Sequence, residues 1–262
     1  MAGVKQNNVV VESALLTHGL YSISNESIRT AFHMQDPAIA FVLDGQVQLL
    51  SVEQFLEQRS RAQSWPRINR ESLPVAQNER LSGPLTASGT MAYAAERGIP
   101  YVVSCGIGGI SNNVDGESFC PDLPALAELP VILLATAFKD MIDIERTFAW
   151  LRANGVSILG EESDVANGYL FQLDDMPLDG VYRGSVLHGA QLLLHAIPKD
   201  KRFSDLTWLQ TALSRGHQAA LAGQHFHPAV NRELDQLSNG ASSDMQLESI
   251  VQNVQLAMTL AR

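Results

Sequence analysis

Lys139 closes a mainly apolar run that begins at Val131. A run of that length after Pro130 reads as a buried strand, and the helical spacing beyond Asp143 sets Lys139 at its carboxyl end. Open α/β sheets place their ligands at that end. A lysine half out of water pays a desolvation cost in its charged form, which favours the neutral amine that attacks carbonyl carbon. From the segment alone, the alternative is a lysine that snorkels from a core strand or pairs with Asp140 or Asp143.

Glu12 stands directly after Val9, Val10 and Val11. A carboxylate at the end of a buried strand resists ionisation and is suited to hold or donate a proton near neutral pH. It serves equally well as a cap on the next element. Three further groupings carry weaker signals. The glycines at 106, 108 and 109 follow a strand and would let backbone amides approach an anion, but their spacing is not a dinucleotide fingerprint. The stretch from Leu81 to Thr86 puts hydroxyls and amides at a helix start, where phosphate binds or the helix is simply capped. His225 and His227 have the alternate spacing of two metal ligands on a strand, with no third ligand nearby.

Positioning these residues requires alternating strands and helices, and the sequence supplies them. Strands are expected over Val9 to Glu12, Ala38 to Leu43, Gln46 to Leu50, Tyr101 to Cys105, the Lys139 run and Val156 to Leu159. Asp44 and Gly45 form a hairpin signal between the second and third. Helices are expected from Glu26 to Gln35 with Asn25 as cap, Val52 to Arg61, Thr86 to Arg97, after Pro121, and from Asp143 to Asn154. The last third is mainly helical: Ser204 to Ala222, Ala229 to Leu237 and Ser243 to Ala261. Gly160 to Gly184 is acidic and aperiodic and reads as a surface excursion or lid. The pattern predicts a single α/β domain over residues 1–262, three-layered α/β/α, with a mostly parallel or mixed central sheet.

A chain of 262 residues has ample material for one large core, and a net charge of −10 argues against a surface that gathers nucleic acid or anionic membrane. A small phosphorylated ligand in a local pocket remains compatible with it. Cys105 and Cys120 lack metal-ligand spacing and make no disulfide framework, which fits a reducing cytoplasm. Met1 to Asn8 carries no signal-type apolar region, and no run approaches the roughly 18 residues of a membrane span.

Taken in order, several blocks resemble the pseudouridine-5′-phosphate glycosidases, also called the indigoidine synthase A-like family. They are Val11 to Gly19, Ile39 to Gly45, Ile68 to Pro74, Leu81 to Gly83 with Thr86, Thr90 and Met91, Gly106 to Ile110, Phe119, Asp122 and Leu123, Pro130, and Ala137 to Ile144. The similarity is clear from about Val9 to Gly160, then fainter through Leu192 to Pro198 and the final helices. It implies reversible cleavage of the carbon–carbon bond between ribose 5-phosphate and uracil. By that resemblance Lys139 forms a Schiff base with ring-opened ribose 5-phosphate, and Glu12 handles the sugar and base protons. Asp122 ends a substrate-binding segment whose two preceding positions are here Cys120 and Pro121. Arg67 takes the place of a phosphate-contacting lysine, and Thr86 and Ala87 fall in the substrate-binding part of the pattern. A homotrimer and a divalent metal, manganese, are also implied.

The chain departs from that pattern where metal and base would be recognised. A histidine after the glycine run becomes Ser111, and the metal-binding aspartate after Phe119 is replaced by Cys120 or deleted, leaving Asp115 or Glu117 as substitutes. A late Thr-Pro-Phe block reads His227, Pro228, Ala229, and its paired asparagines become Gln252 and Asn253. Two other expectations follow: a synthase joining ribose 5-phosphate to a different carbon nucleophile, or a sugar-phosphate-binding relative without turnover. A lysine Schiff-base lyase on a barrel would need eight βα units, and fewer are countable.

Overall fold

The computed structural model describes residues 8–113, 116–184, 191–224 and 226–262, without the side chains at 112, 113, 116 and 117. Its central sheet has nine strands: β1 (Val9–Val11), β2 (Ile39–Leu43), β3 (Gln46–Leu50), β4 (Gly83–Pro84), β5 (Tyr101–Val103), β6 (Ile132–Ala135), β7 (Ser157–Gly160), β8 (Gly180–Val181) and β9 (Gln191–Leu194). Their order is β8-β7-β9-β6-β5-β1-β2-β3, with β4 also pairing β2. Every pairing from β8 to β2 is parallel; β3 and β4 join β2 antiparallel, so the sheet is mixed only at one edge.

Helices of seven residues or more are α1 (Asn25–Ala31), α2 (Val52–Arg59), α3 (Ala87–Arg97), α4 (Asp122–Glu128), α5 (Ile144–Ala153), α6 (Leu206–Leu221), α7 (Phe226–Leu237) and α8 (Ala241–Leu260). They cover both faces of the sheet. Side chains alternate along a strand, so each strand feeds two cores. Val9, Val11, Phe41, Val103, Leu134 and Leu193 pack with α1, α2 and α8 through Ile28, Phe55, Ile250 and Val254. Val10, Ala40, Val102, Leu133 and Leu192 pack with α3, α4 and α5 through Met91, Leu126, Phe148 and Leu151. Because both faces are buried, the central strands read as unbroken apolar runs.

Local signals account for most element ends. Asp44 (φ 51°) and Gly45 (φ 77°) occupy the left-handed region that a tight hairpin demands. Ser51 and Gln54 form a reciprocal capping box on α2, and Asp143 accepts from the Arg146 amide at the start of α5. The α1 helix is shorter than its sequence pattern suggests and is capped by Ser24, one residue before Asn25.

Three larger differences bear on the site. The Val131 to Lys139 run is two strands: β6 ends at Ala135, and Ala137–Phe138 pairs in parallel with Gly106–Ile107 in a separate two-stranded sheet. The glycine run after Cys105 is therefore partly strand, with Gly106 in it and Gly108 and Gly109 beyond its end. Gly160 to Gly184 is not a surface excursion. It contributes the edge strand β8, and Tyr169, Leu170 and Phe171 are buried in the core, since the apolar stretch there outweighs its acidic flanks. His227 lies on α7, not on a strand, because helical spacing extends back to Phe226; His225 lies outside the described residues. Among the described residues, no helix is long and apolar enough to cross a membrane.

Candidate active site

A cleft opens at the carboxyl ends of β1, β5 and β6, between the sheet, α3, α4 and α7. Glu12, Arg67, Thr86, Ala87, Asp122 and Lys139 all line it. These six residues are scattered over 128 positions of sequence, and parallel strands ending at one edge bring them together.

Glu12 leaves β1 with its amide donating to the Val103 carbonyl at 3.0 Å. The residue is 6% exposed, and Ser104 Oγ donates to Glu12 Oε1 at 2.6 Å. Burial raises its pKa above the ordinary carboxylate value and nearby Asp122 adds to the rise, while Ser104, Arg67 and Lys139 oppose it. Ser104 is itself braced from the far core: Asn253 on α8 donates to the Ser104 carbonyl at 2.9 Å and to Thr136 Oγ1 at 3.0 Å. Those two contacts sit where the main sheet ends and the small one begins.

Lys139 follows the small strand, and its amide donates to the Ile107 carbonyl at 2.9 Å. A Cβ at Gly106 would lie 2.8 Å from Tyr169 Cε1 and 3.2 Å from Lys139 Cγ, so the tyrosine ring and the lysine stem both close over a bare backbone. Tyr169 Oη lies 2.9 Å from Cys105 Sγ. The Tyr169 segment hangs on Asp140, whose two oxygens accept from the amides of Tyr169 (2.7 Å) and Leu170 (2.9 Å). Burial pushes the Asp140 carboxyl up to about 6 against the lowering effect of those amides. So Asp140 supports a wall of the cleft instead of pairing with Lys139.

Asp122 opens α4 and accepts from the Ser88 amide in the first turn of α3 at 3.0 Å. Cys120 and Pro121 do not reach the cleft. Cys120 Sγ packs against Gly108, and Pro121 is the N-cap of α4, so both stand behind Asp122. Of the hydroxyls before α3, Thr86 caps the helix and lines the cleft, whereas Ser82 accepts from the Asp44 amide at the hairpin. Arg67 is held beside this helix start by its neighbour: the Thr86 amide donates to the Ile68 carbonyl at 2.9 Å, and Ile68 bridges Leu85.

Sequence reasoning missed several lining residues. Ser104 and Tyr169 sit at strand and loop ends that carry no motif. Asn231, Leu234 and Gln246 come from α7 and α8. His227, Asn231 and Leu234 follow the i, i+4, i+7 spacing of one helix face, a signal readable once 226–237 is taken as helix. Among the described residues, no three His, Cys, Asp or Glu side chains gather into a cation site. Asp115 and the Glu117 side chain lie outside the described residues. The described side chains therefore do not form a manganese site, and no step of the chemistry is assigned to one.

An α/β sheet thus gathers a lysine, two buried carboxylates and an arginine around one cleft at its carboxyl edge, where such sheets place small-molecule ligands. The chain belongs to the family of indigoidine synthase A like proteins, whose model matches residues 2–180. Curated relatives span nearly all of it. A pseudouridine-5′-phosphate glycosidase of Methylobacterium nodulans is 25% identical, covering 97% of this chain and 82% of that protein. One from Cupriavidus pinatubonensis is 26% identical over 97% of this chain and 88% of its own length. An indigoidine synthase A-like protein from Thermotoga maritima superposes with a TM-score of 0.82 at 18% identity, covering 97% of this chain and 91% of that one. The prealnumycin C-glycosynthase AlnA, solved with ribulose 5-phosphate, superposes at 0.72 and 20% identity with the same coverage.

Proposed function

We propose that this protein cleaves or forms the C-glycosidic bond between ribose 5-phosphate and a nucleobase-like carbon, in the manner of pseudouridine 5′-phosphate conversion to uracil and ribose 5-phosphate. The observation that carries this reading is the joint placement of Lys139, Glu12 and Asp122 around one cleft with Arg67 at the start of α3. The relatives named for that reaction support it.

In the cleavage direction, the Lys139 amine attacks C1′ and the C1′–O4′ bond breaks, with O4′ taking a proton from the Glu12 carboxyl. The ionised Glu12 takes the surplus proton from the nitrogen, whose freed lone pair then expels the base carbon as the imine forms, and Glu12 returns that proton to the departing carbon. Water hydrolyses the imine to ribose 5-phosphate and the free amine. Glu12 suits the acid role because burial raises its pKa above the ordinary carboxylate value. Asp122, fixed by the Ser88 amide, orients the sugar, while Arg67 and the N-terminus of α3 receive the phosphate. The assembly, by the same resemblance, is a homotrimer.

A second reading is synthesis with another carbon nucleophile. It draws support from the likeness to the C-glycosynthase and from the altered stretch between Ser111 and Asp122. One experiment tests the shared core of both. After incubation with ribose 5-phosphate and borohydride, intact mass should show a covalent adduct that Lys139→Ala abolishes; no adduct with the wild-type protein would sink both readings. Uracil then separates them, since an adduct without pseudouridine 5′-phosphate points to another acceptor.

A further inference from the structure

One residue of the cleft feels both of its cations and has no role in the chemistry above. His227 lies on the face of α7 that lines the cleft with Asn231 and Leu234, and its Nδ1 lies 3.1 Å from Met141 Sδ. The charges acting on it are Lys139 and Arg67, and both disfavour protonation; burial does so more strongly. Glu12, Asp122, Asp140 and Tyr169 share the cleft, but Glu12 is engaged by Ser104, Asp122 by the Ser88 amide, Asp140 by the amides of Tyr169 and Leu170, and Tyr169 by Cys105. From α6, His217 stacks on the Phe226 ring with centroids 5.1 Å apart. On α7 itself, Arg232 lies over Tyr21, Asp235 accepts from Ser22 and Ser243, and Glu233 lines a different groove. An imidazole set beside two cations, with the neighbouring carboxylates engaged elsewhere, is arranged for a ligand that brings negative charge.

We propose that His227 is a specificity-determining arm of the phosphate subsite: when a phosphomonoester dianion settles beside Arg67, His227 takes up a proton from solvent and binds the anion as imidazolium. This rests on the sugar-phosphate reading above and extends it. A dianion at that point offsets the field of Arg67 and Lys139 and supplies the acceptor that a protonated ring needs. A sugar without its phosphate gives His227 no reason to protonate. The subsite therefore selects phosphorylated over free sugars, and its affinity declines as pH rises.

Ribitol 5-phosphate, which has no aldehyde and forms no imine, isolates this step. Calorimetry at pH 7.5 in two buffers of different ionisation enthalpy should show uptake of about one proton per site, and log Kd should rise with pH between 6 and 8. In His227→Gln the uptake and the pH slope should vanish and affinity should fall about tenfold, the scale of one charge-assisted hydrogen bond. Unchanged thermal melting confirms that the variant is folded; if it melts early, His227→Lys serves instead, keeping affinity without proton uptake. Uptake that persists in a folded variant overturns the proposal. A wild-type protein that forms the borohydride adduct with ribose 5-phosphate yet binds ribitol 5-phosphate without uptake overturns it while leaving the function intact. Absence of both adduct and binding defeats both.

Discussion

Glu12 shows how one environment sets both chemistry and stability. Its folded pKa is raised, so its contribution to stability is fully present below the ordinary carboxylate value of 4.5 and is lost as pH rises through the folded value. Above that folded value the ionised side chain costs stability that a neutral isostere does not. Glu12→Gln should therefore melt higher than wild type at pH 8, with the gain shrinking toward pH 4. The same variant should still form the Lys139 adduct while turnover falls about 10² to 10⁴ fold, the usual weight of general acid–base catalysis. Equal turnover would remove Glu12 from the acid role. Asp140 offers a second test. Asn keeps one acceptor oxygen but turns an NH₂ toward the second amide, leaving a buried N–H unsatisfied at a cost of about 1–3 kcal/mol. Asp140→Asn should speed hydrogen exchange at the Tyr169 and Leu170 amides and slow adduct formation; unchanged protection there would mean that the segment is held by its apolar contacts instead. Lys139 and Glu12 were legible from their place after apolar strands, whereas Asp122 and Arg67 were named only by the family resemblance. Asp140 was legible only as a partner for Lys139, since nothing in sequence shows that the amides donating to it lie 29 and 30 residues on.

At the scale of elements, the split of the Val131 to Lys139 run matters most. Both halves are apolar and buried, so periodicity alone cannot reveal that pairing changes partners at Thr136. The switch turns the last residues of the run into the short sheet with Gly106–Ile107 and delivers Lys139 to the cleft. Gly106 is the residue that this arrangement needs. Gly106→Ala would drive a methyl to within 2.8 Å of the Tyr169 ring and 3.2 Å of the Lys139 stem, so one of them must shift. The expected outcome is a folded protein whose adduct formation with ribose 5-phosphate slows at least tenfold, since misplacement of about an ångström costs that much or more. A wild-type rate would show that Tyr169 yields freely and leaves Lys139 in place. Turns and caps were readable throughout, because Asp44, Gly45, Ser51 and Asp143 act on backbone groups within a few residues. The pairing within Gly160 to Gly184 was not, because its strands are two residues long and too short to show an alternating pattern.

At the scale of the molecule, alternation of strands and helices was enough to predict three layers and a mostly parallel sheet, because both-face burial writes itself into unbroken apolar strands. Strand order was not readable: β9 inserts between β6 and β7 although it follows both in sequence. The net charge of −10 is compatible with Arg67 and Lys139 lining the cleft, since a pocket keeps a local field of its own against the charge of the whole chain.

The brace from Asn253 to Ser104 and Thr136 carries a consequence for the time course of folding. Ser104 is 92 residues from Glu12 and 149 from Asn253, and Thr136 is 117 from Asn253. Loops of that length close late, after local helices and hairpins have formed. On dilution from denaturant, helical ellipticity should return well before the capacity to trap ribose 5-phosphate, and Asn253→Ala should widen the interval between the two. Simultaneous recovery would show that the cleft is assembled with the core and not after it.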